Sequence, residues 1–240
     1  MAGLPARITD AFATRRVVKI ADCVHFCAYR YGRGELNPYE RYALDLAAGS
    51  PLEAARERFV DYLRHFRPRH LGDALGVRLL REYPLWALPW RTPRQVARNP
   101  GWHLSARHVV DVMTYFSDAG IPEAVLQREY RWHEEAFDSM RRVGYRPLEY
   151  TYITARELRG ERPTYLVTDG NHRLSALSAL GSTEVEIQLP LTTTIHRSRV
   201  DRWPLVRSGI MERGDALRVF DAYLDGHRAP ARAHAPARIV

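Results

Sequence analysis

Residues with chemical potential are concentrated in the stretch YLVTDGNHRLSALSALG at residues 165–181. Asp169 ends an apolar run typical of a strand, Gly170 follows, and His172 and Arg173 open an apparent helix. The first turn of a helix offers backbone N–H groups without partners and the positive end of the helix dipole. A cation there is unfavourable to the helix itself, so the two basic residues indicate that an anion such as a phosphate is expected at this turn.

Each residue at this junction suits a phosphate site. Gly170 would let a ligand approach the backbone closely, Arg173 would grip a phosphate with two hydrogen bonds, and His172 would donate another. Asp169 would hold Mg²⁺ beside the phosphates or take a proton from an incoming hydroxyl, or it would only cap the helix. His172 would alternatively only orient its neighbours. The stretch matches neither GxxxxGK[ST] nor GxGxxG, so the nucleotide folds built on those loops are not indicated.

The elements around the junction predict a small α/β unit. Leu174, Leu177 and Leu180 form an inward stripe, so the helix packs through its leucines and leaves its first turn available. A polar turn, RELRGERPT, separates the first two strands. The predicted order is helix 123–142, strand 148–155, strand 164–170, helix 171–180, strand 183–191 and helix 212–225.

The N-terminal part of the chain is predicted to be helical. Ser50, Pro51 and Glu53 form a start signal for a helix over 50–66, and a shorter helix precedes it at 38–48. Residues 83–102 hold four prolines and three tryptophans, which predicts an extended connector. Its aromatic side chains would pin it across the domain surface, which we favour, or would form one wall of a ligand cleft that closes over a substrate.

Bulk composition limits the class of protein. The chain has 240 residues and a net charge of +8, which favours an anionic partner, although its arginines are scattered rather than gathered in a nucleic-acid-binding block. Cys23 and Cys27 lack a second ligand pair, so we interpret them as buried thiols in a reducing compartment. No apolar run approaches the ~20 residues of a membrane span, and no secretory signal is evident. These features predict a cytoplasmic protein without a membrane partner.

Several residues carry a family resemblance. They are Asp169, Gly170, Asn171, His172, Arg173, Ala176 and Gly181, together with the run SMRRVGYRP at 139–147. This set resembles the signature of the ParB/sulfiredoxin superfamily, whose members bind nucleotide phosphates at such a strand–turn–helix. The resemblance covers roughly residues 120–190.

The resemblance implies an α/β (α+β) fold with a ParB/sulfiredoxin-like small mixed sheet, helices and a helical N-terminal extension. Three parts follow for the chain. They are a helical extension with a Pro/Trp-rich connector at 1–104, a ParB/sulfiredoxin-like nucleotide-binding domain at 105–227 and a disordered tail at 228–240.

Asn171 distinguishes among the branches of the superfamily. Sulfiredoxins carry their catalytic cysteine at this place, and partition proteins carry a glutamate followed by arginine, with DNA-binding and dimerisation parts after the sheet. About 50 residues after the last predicted strand are too few for those parts. The closest wording is the Asp-Gly-His-x-Arg box of ParB-fold kinases that phosphorylate free serine, which have His where this chain has Asn171.

This likeness implies a nucleotide-dependent kinase that phosphorylates the hydroxyl of a small molecule such as an amino acid, sugar or natural-product intermediate. Its cofactors would be ATP, or another nucleoside triphosphate or ADP, and Mg²⁺. The implied catalytic residues are Asp169, His172 and Glu129, the implied nucleotide-binding residues are Thr168, Gly170, Asn171, His172 and Arg173, and the implied metal ligand is Asp169.

Two points stay open at the level of sequence. Such kinases use an upstream glutamate to activate the hydroxyl; Glu129 is our candidate by position, while Glu134, Glu135 and Glu149 are alternatives, and each would otherwise be a solvated surface acid. The second point is function, because a nucleotide-binding switch or DNA-binding module without small-molecule turnover would use the same box. DNA is possible as a partner but is not favoured, since no helix-turn-helix is evident.

Overall fold

The computed structural model describes residues 13–32, 37–65, 68–98, 123–190 and 194–226. The described strands are β1 (Ala13–Lys19), β2 (Cys23–Val24), β3 (Ile153–Arg159), β4 (Pro163–Asp169), β5 (Glu184–Pro190) and β6 (Ile195–His196). The described α-helices are α1 (Pro38–Ala47), α2 (Leu52–His65), α3 (Leu71–Leu75), α4 (Pro93–Arg98), α5 (Glu123–Val143), α6 (Asn171–Ala179), α7 (Pro204–Arg207) and α8 (Arg213–Asp225). Short 3₁₀ helices occupy Ile20–Asp22 and Arg197–Arg202.

The strands form one open, mixed sheet in the order β1-β5-β3-β4-β2, and β6 also pairs with β3. The β1–β5 and β3–β4 pairs are antiparallel, whereas β3–β5, β2–β4 and β3–β6 are parallel. A bulge between Thr154 and Ala155 shifts the register of β3 against β4, close to the point where β4 ends at Asp169. The predicted mixed α/β class is therefore confirmed.

The predicted length of the polar turn between the first two predicted strands is wrong. Residues 156–159 lie within β3, and 148–152 precede that strand. The reason is that Glu157 is buried and hydrogen-bonded by Arg159 and Thr194, so a charged sequence is accommodated inside the sheet. The turn between β3 and β4 shortens to residues 160–162.

The N-terminal part is not only helical, which corrects that prediction. β1 pairs with β5 along its whole length, and β2 pairs with β4, so both strands belong to the same sheet as the 153–190 segment. The connector also contains a short helix, α4. The predicted boundary at residue 104 and the predicted disordered tail at 228–240 lie outside the described residues.

Helices cover both faces of the sheet. One face packs on α6, α5 and α1 through residues such as Ile153, Val167 and Leu174. The opposite face packs on α8, α3 and the connector, where Trp90 meets Trp203 and Phe220 edge-on. The described part of the connector is thus held in the core across the sheet from α6.

Three further features complete the fold. A third apolar cluster joins α1, α2 and α5. Cys23 and Cys27 are free and buried, as predicted, and burial raises the pKa of both thiols. Among the helices of the described segments, none combines the length and the apolar character needed to cross a bilayer.

Candidate active site

The turn between β4 and α6 depends on Gly170. Its φ is +86°, in the left-handed region, and a Cβ there would lie 2.8 Å from Cγ1 of Ile153 and 3.0 Å from Nη2 of Arg173. Gly170 is the N-cap of α6 and no side chain of the described residues caps this helix, so the alternative that Asp169 is a simple helix cap is wrong. The Asp169 side chain is 70% exposed and lies 3.6 Å from the Arg173 guanidinium. The turn therefore presents backbone N–H groups beside an accessible carboxylate.

Arg173 is engaged with its own chain. Its Nη1 donates to the backbone carbonyl of Thr151 and to Thr151 Oγ1 at 2.9 Å, and its Nη2 donates to the carbonyl of Tyr152 at 3.5 Å. The guanidinium thus ties the segment before β3 to the turn after β4. Phosphate binding by Arg173 remains a prediction.

Asn171 and Thr168 also have protein partners. Tyr31 donates its hydroxyl to Asn171 Oδ1 at 2.7 Å, and burial raises the pKa of Tyr31, which keeps that hydroxyl protonated. Thr168 donates to the backbone carbonyl of Thr154 at 3.2 Å, beside the bulge of β3. Both side chains hold the turn against neighbouring elements, and their contacts with nucleotide remain predictions.

The structure brings Glu129 and His172 together. Glu129 on α5 and His172 on α6 are 43 residues apart in sequence, and Oε2 of the first lies 3.3 Å from Nε2 of the second. The Glu129 side chain is 10% exposed and the His172 side chain 26% exposed. A mostly buried carboxylate joined to a partly exposed imidazole is an arrangement that holds and moves protons.

The other three candidate glutamates have different surroundings. Glu134 accepts hydrogen bonds from Tyr42 at 2.7 Å and from Arg56 at 2.9 and 3.0 Å, which tie α5 to α1 and α2. Glu135 and Glu149 are largely exposed and pair with arginines on the surface. Of the four glutamates, Glu129 is the one that the structure places against His172.

His133 belongs to the same cluster and was not identified from the sequence. Its side chain is buried, and its ring centroid lies 4.3 Å from that of His172 in an edge-to-face arrangement. Burial, with smaller contributions from His172 and His25, lowers the pKa of His133 well below 6.5, so its imidazole is neutral. The signal in the sequence was its spacing of four from Glu129, which places both residues on one face of a helix.

Ligand atoms of these residues are close enough to be considered as a metal site. One ligand atom each from Glu129, His133 and His172 lie within 4.8 Å of one another. Asp169 is the exposed carboxylate at the turn and would suit a hard cation such as Mg²⁺.

A separate cavity of about 450 Å³ lies at the other end of α6. Glu40 lines it and is buried, accepting hydrogen bonds from the backbone of Gly32 at 2.6 Å and from the Ser178 hydroxyl. The residues that line the cavity are Lys19, Ile20, Ala21, Gly32, Glu40, Leu44, Ser178, Gly181, Ser182, Thr183 and Glu184. None of the predicted site residues is among them.

Comparisons of the chain with protein-family models, with curated proteins and with solved structures find no match. The resemblance to the ParB/sulfiredoxin superfamily therefore remains a prediction from the residues of the box. The structure shows a mixed α/β fold with an open sheet of six strands in the described part.

Proposed function

We propose that the chain is a nucleotide-dependent phosphotransferase that acts on the hydroxyl of a small molecule such as an amino acid, sugar or natural-product intermediate. The observation that carries the proposal is the Glu129–His172 pair, 3.3 Å apart, at the N-terminal turn of α6. A proton acceptor beside a phosphate-binding turn is the combination that phosphoryl transfer to a hydroxyl requires.

In the proposed mechanism, one set of groups binds the phosphates and another accepts the proton. The backbone N–H groups of residues 171–173 and the dipole of α6 bind the phosphates of the nucleotide. Glu129 Oε2 accepts the proton that the hydroxyl loses as its oxygen bonds to the transferred phosphorus and the bond to the leaving nucleotide breaks. His172 Nε2, hydrogen-bonded to that oxygen, orients the carboxylate. Positioning and charge supply most of the catalysis, so no covalent nucleophile is needed.

Asp169 fits the role of a Mg²⁺ ligand. Mg²⁺ usually binds through one or two carboxylates together with water and substrate phosphates, and Asp169 offers an exposed carboxylate next to the phosphate turn. Mg²⁺ bound there would neutralise charge on the phosphates. Arg173 holds the turn in shape through its bonds to residues 151 and 152.

The test is phosphoryl transfer from ATP, ADP or CTP with Mg²⁺ to a panel of amino acids and sugars, followed by mass spectrometry. Glu129→Gln should lower kcat about 100-fold or more, because the amide cannot accept the proton, while nucleotide binding is kept. Glu135→Gln, an exposed change on the same helix, is the matched control and should leave kcat unchanged.

Two outcomes would contradict the proposal. One is the absence of any thermal shift of the wild-type protein with all three nucleotides. The other is a Glu129→Gln variant that retains the wild-type rate. Nucleotide binding without turnover of any acceptor would instead favour the alternative, a nucleotide-binding switch.

A further inference from the structure

We propose that Glu129, His133 and His172 form a binding site for one divalent transition-metal ion of the Zn²⁺ type. The bound ion would occupy both Glu129, the proton acceptor of the proposed phosphotransferase, and His172, which orients that acceptor, and would therefore inhibit transfer. This consequence rests on the proposed function, whereas the site itself rests only on the geometry of the three side chains.

The spacing of the three groups is the first support. Ligands on a tetrahedral Zn²⁺ ion, each ~2.0–2.2 Å from the metal, lie about 3.3–3.6 Å from one another. The 3.3 Å between Glu129 Oε2 and His172 Nε2 already matches this spacing, and all three ligand atoms lie within 4.8 Å.

The second support is that the three ligands come from two helices that pack against each other. Glu129 and His133 stand four residues apart on α5, so they present their side chains on one helix face. His172 comes from the first turn of α6, which packs against α5. Two rigid helices therefore position the ligands, and such sites are more exact than sites on loops.

The state of His133 is the third support. Its Nε2 atom is buried and has no hydrogen-bond partner in the described part of the chain, and the whole residue is 1% exposed. A buried polar atom without a partner is costly, and coordination to a metal would satisfy this imidazole or fix its orientation.

The donor set distinguishes this ion from Mg²⁺. Two imidazole nitrogens and one carboxylate oxygen suit Zn²⁺ and similar transition metals, whereas Mg²⁺ prefers oxygen ligands and retains water. The partly exposed His172 gives the ion a route from solvent. The cluster would therefore bind a transition metal, whereas Asp169 would bind Mg²⁺.

A purely structural role for His133 is the competing explanation. Its ring stacks on Tyr39 with centroids 5.4 Å apart and meets Phe59 edge-on at 5.1 Å. Aromatic packing of this kind would explain the burial of the ring without any ligand. It would also be preserved by phenylalanine, which keeps the shape and removes both nitrogens.

The experiment uses the full chain after treatment with EDTA. Zn²⁺ binding is measured by titration calorimetry, and Co²⁺ binding by visible absorption, which is sensitive to tetrahedral nitrogen and oxygen ligands. We expect one ion per chain and an affinity at least ~10-fold lower in His133→Phe. His196→Phe, which changes a histidine on β6 far from the cluster in sequence, is the control and should bind like the wild type. Circular dichroism and thermal melting of each variant show that it is folded.

The outcomes separate the site from the proposed function. If wild-type protein binds no Zn²⁺ or Co²⁺, or if His133→Phe binds them as tightly, the metal site is wrong. If Zn²⁺ binds as expected and suppresses transfer in the wild type but not in His133→Phe, the site and its inhibitory consequence are both supported. If Zn²⁺ binds as expected and no variant transfers phosphate, the site stands and the proposed phosphotransferase fails.

Discussion

At the scale of single residues, the structure shows which acidic groups lie beside the basic pair at the start of α6. The sequence predicted an anion at this turn because His172 and Arg173 oppose the helix dipole. The structure places two carboxylates of the chain itself there, Glu129 at His172 and Asp169 at Arg173. These acids account for part of the expected negative charge, and under the proposed function the backbone N–H groups of the turn would bind a phosphate.

A substitution at Gly170 tests whether this turn leaves space for a side chain. Gly170→Ala should lower the free energy of unfolding by about 2–4 kcal/mol, because it combines a left-handed φ with a Cβ 2.8 Å from Ile153. Gly181→Ala is the matched control, since Gly181 has φ of +87° but, apart from its chain neighbours, no atom of the described residues lies within 4 Å of the place that a Cβ would occupy. It should cost only about 1–2 kcal/mol in urea unfolding. Equal losses for the two variants would show that Gly170 is not sterically confined.

The residues of the turn could be identified from the sequence, but the packing that brings other residues to them could not. Asp169, Gly170 and His172 stand together in sequence, so their proximity follows from the chain. Glu129 was chosen by position, and only the packing of α5 on α6 brings it to His172. His133 was overlooked because its spacing of four from Glu129 does not by itself mark it as a site residue, and its contact with His172 is made only in three dimensions.

At the scale of elements, helices were easier to predict than strands. α2, α5, α6 and α8 begin and end within about two residues of the sequence predictions, because caps, glycines and 3.6-residue periodicity mark them. β1 was missed because it is an edge strand, in which only Val18 is buried and the alternation of apolar residues is absent. β3 was misplaced because its second half is charged.

Glu157 on β3 contacts Arg16 on β1, and the pKa of its carboxyl indicates how the stability of the sheet changes at low pH. Burial would raise the pKa of its carboxyl, but hydrogen bonds from Arg159 and Thr194 and the charge of Arg16 outweigh burial and hold that pKa below the ordinary 4.5. The group therefore binds fewer protons in the folded state than in the unfolded state. Its contribution to stability is complete above about pH 4.5 and is lost as the pH falls through the folded-state pKa.

We expect Glu157→Gln to lower the free energy of unfolding at pH 7 and to reduce its decline on acidification. Urea unfolding between pH 7 and pH 3 measures both effects. Glu161→Gln, in the exposed turn between β3 and β4, is the control and should follow the wild-type profile. An unchanged acid profile for Glu157→Gln would show that the carboxyl is not stabilised by its partners.

At the scale of the whole molecule, packing joins the described segments before and after residue 104. Each of the three apolar clusters contains residues from both sides of position 104, such as Val24 with Leu158, Val18 with Leu174, and Tyr42 with Leu126. Apolar surface shared in this way stabilises both parts together.

A fragment of residues 105–227 should consequently fail to fold alone. It lacks β1 and β2, which pair with the outer edges of β5 and β4, and it would expose the apolar surface that α1 and α2 cover. Near-ultraviolet circular dichroism and the cooperativity of urea unfolding measure the outcome. Adding residues 1–104 as a second chain is the control and should restore cooperative unfolding at least in part. A fragment that unfolds cooperatively by itself would support an independent domain.

The pairing of the first and fifth strands has a consequence for biosynthesis. Thr14 on β1 donates to the carbonyl of Leu189 on β5, and these partners are 175 residues apart in the chain. At ~5–20 residues per second, a ribosome would take roughly 9–35 s to make the second partner after the first. The arginine-rich β1 is therefore made well before β5 and has no partner strand during that interval. Its charge would keep it from pairing with neighbouring nascent chains until the edge of β5 exists.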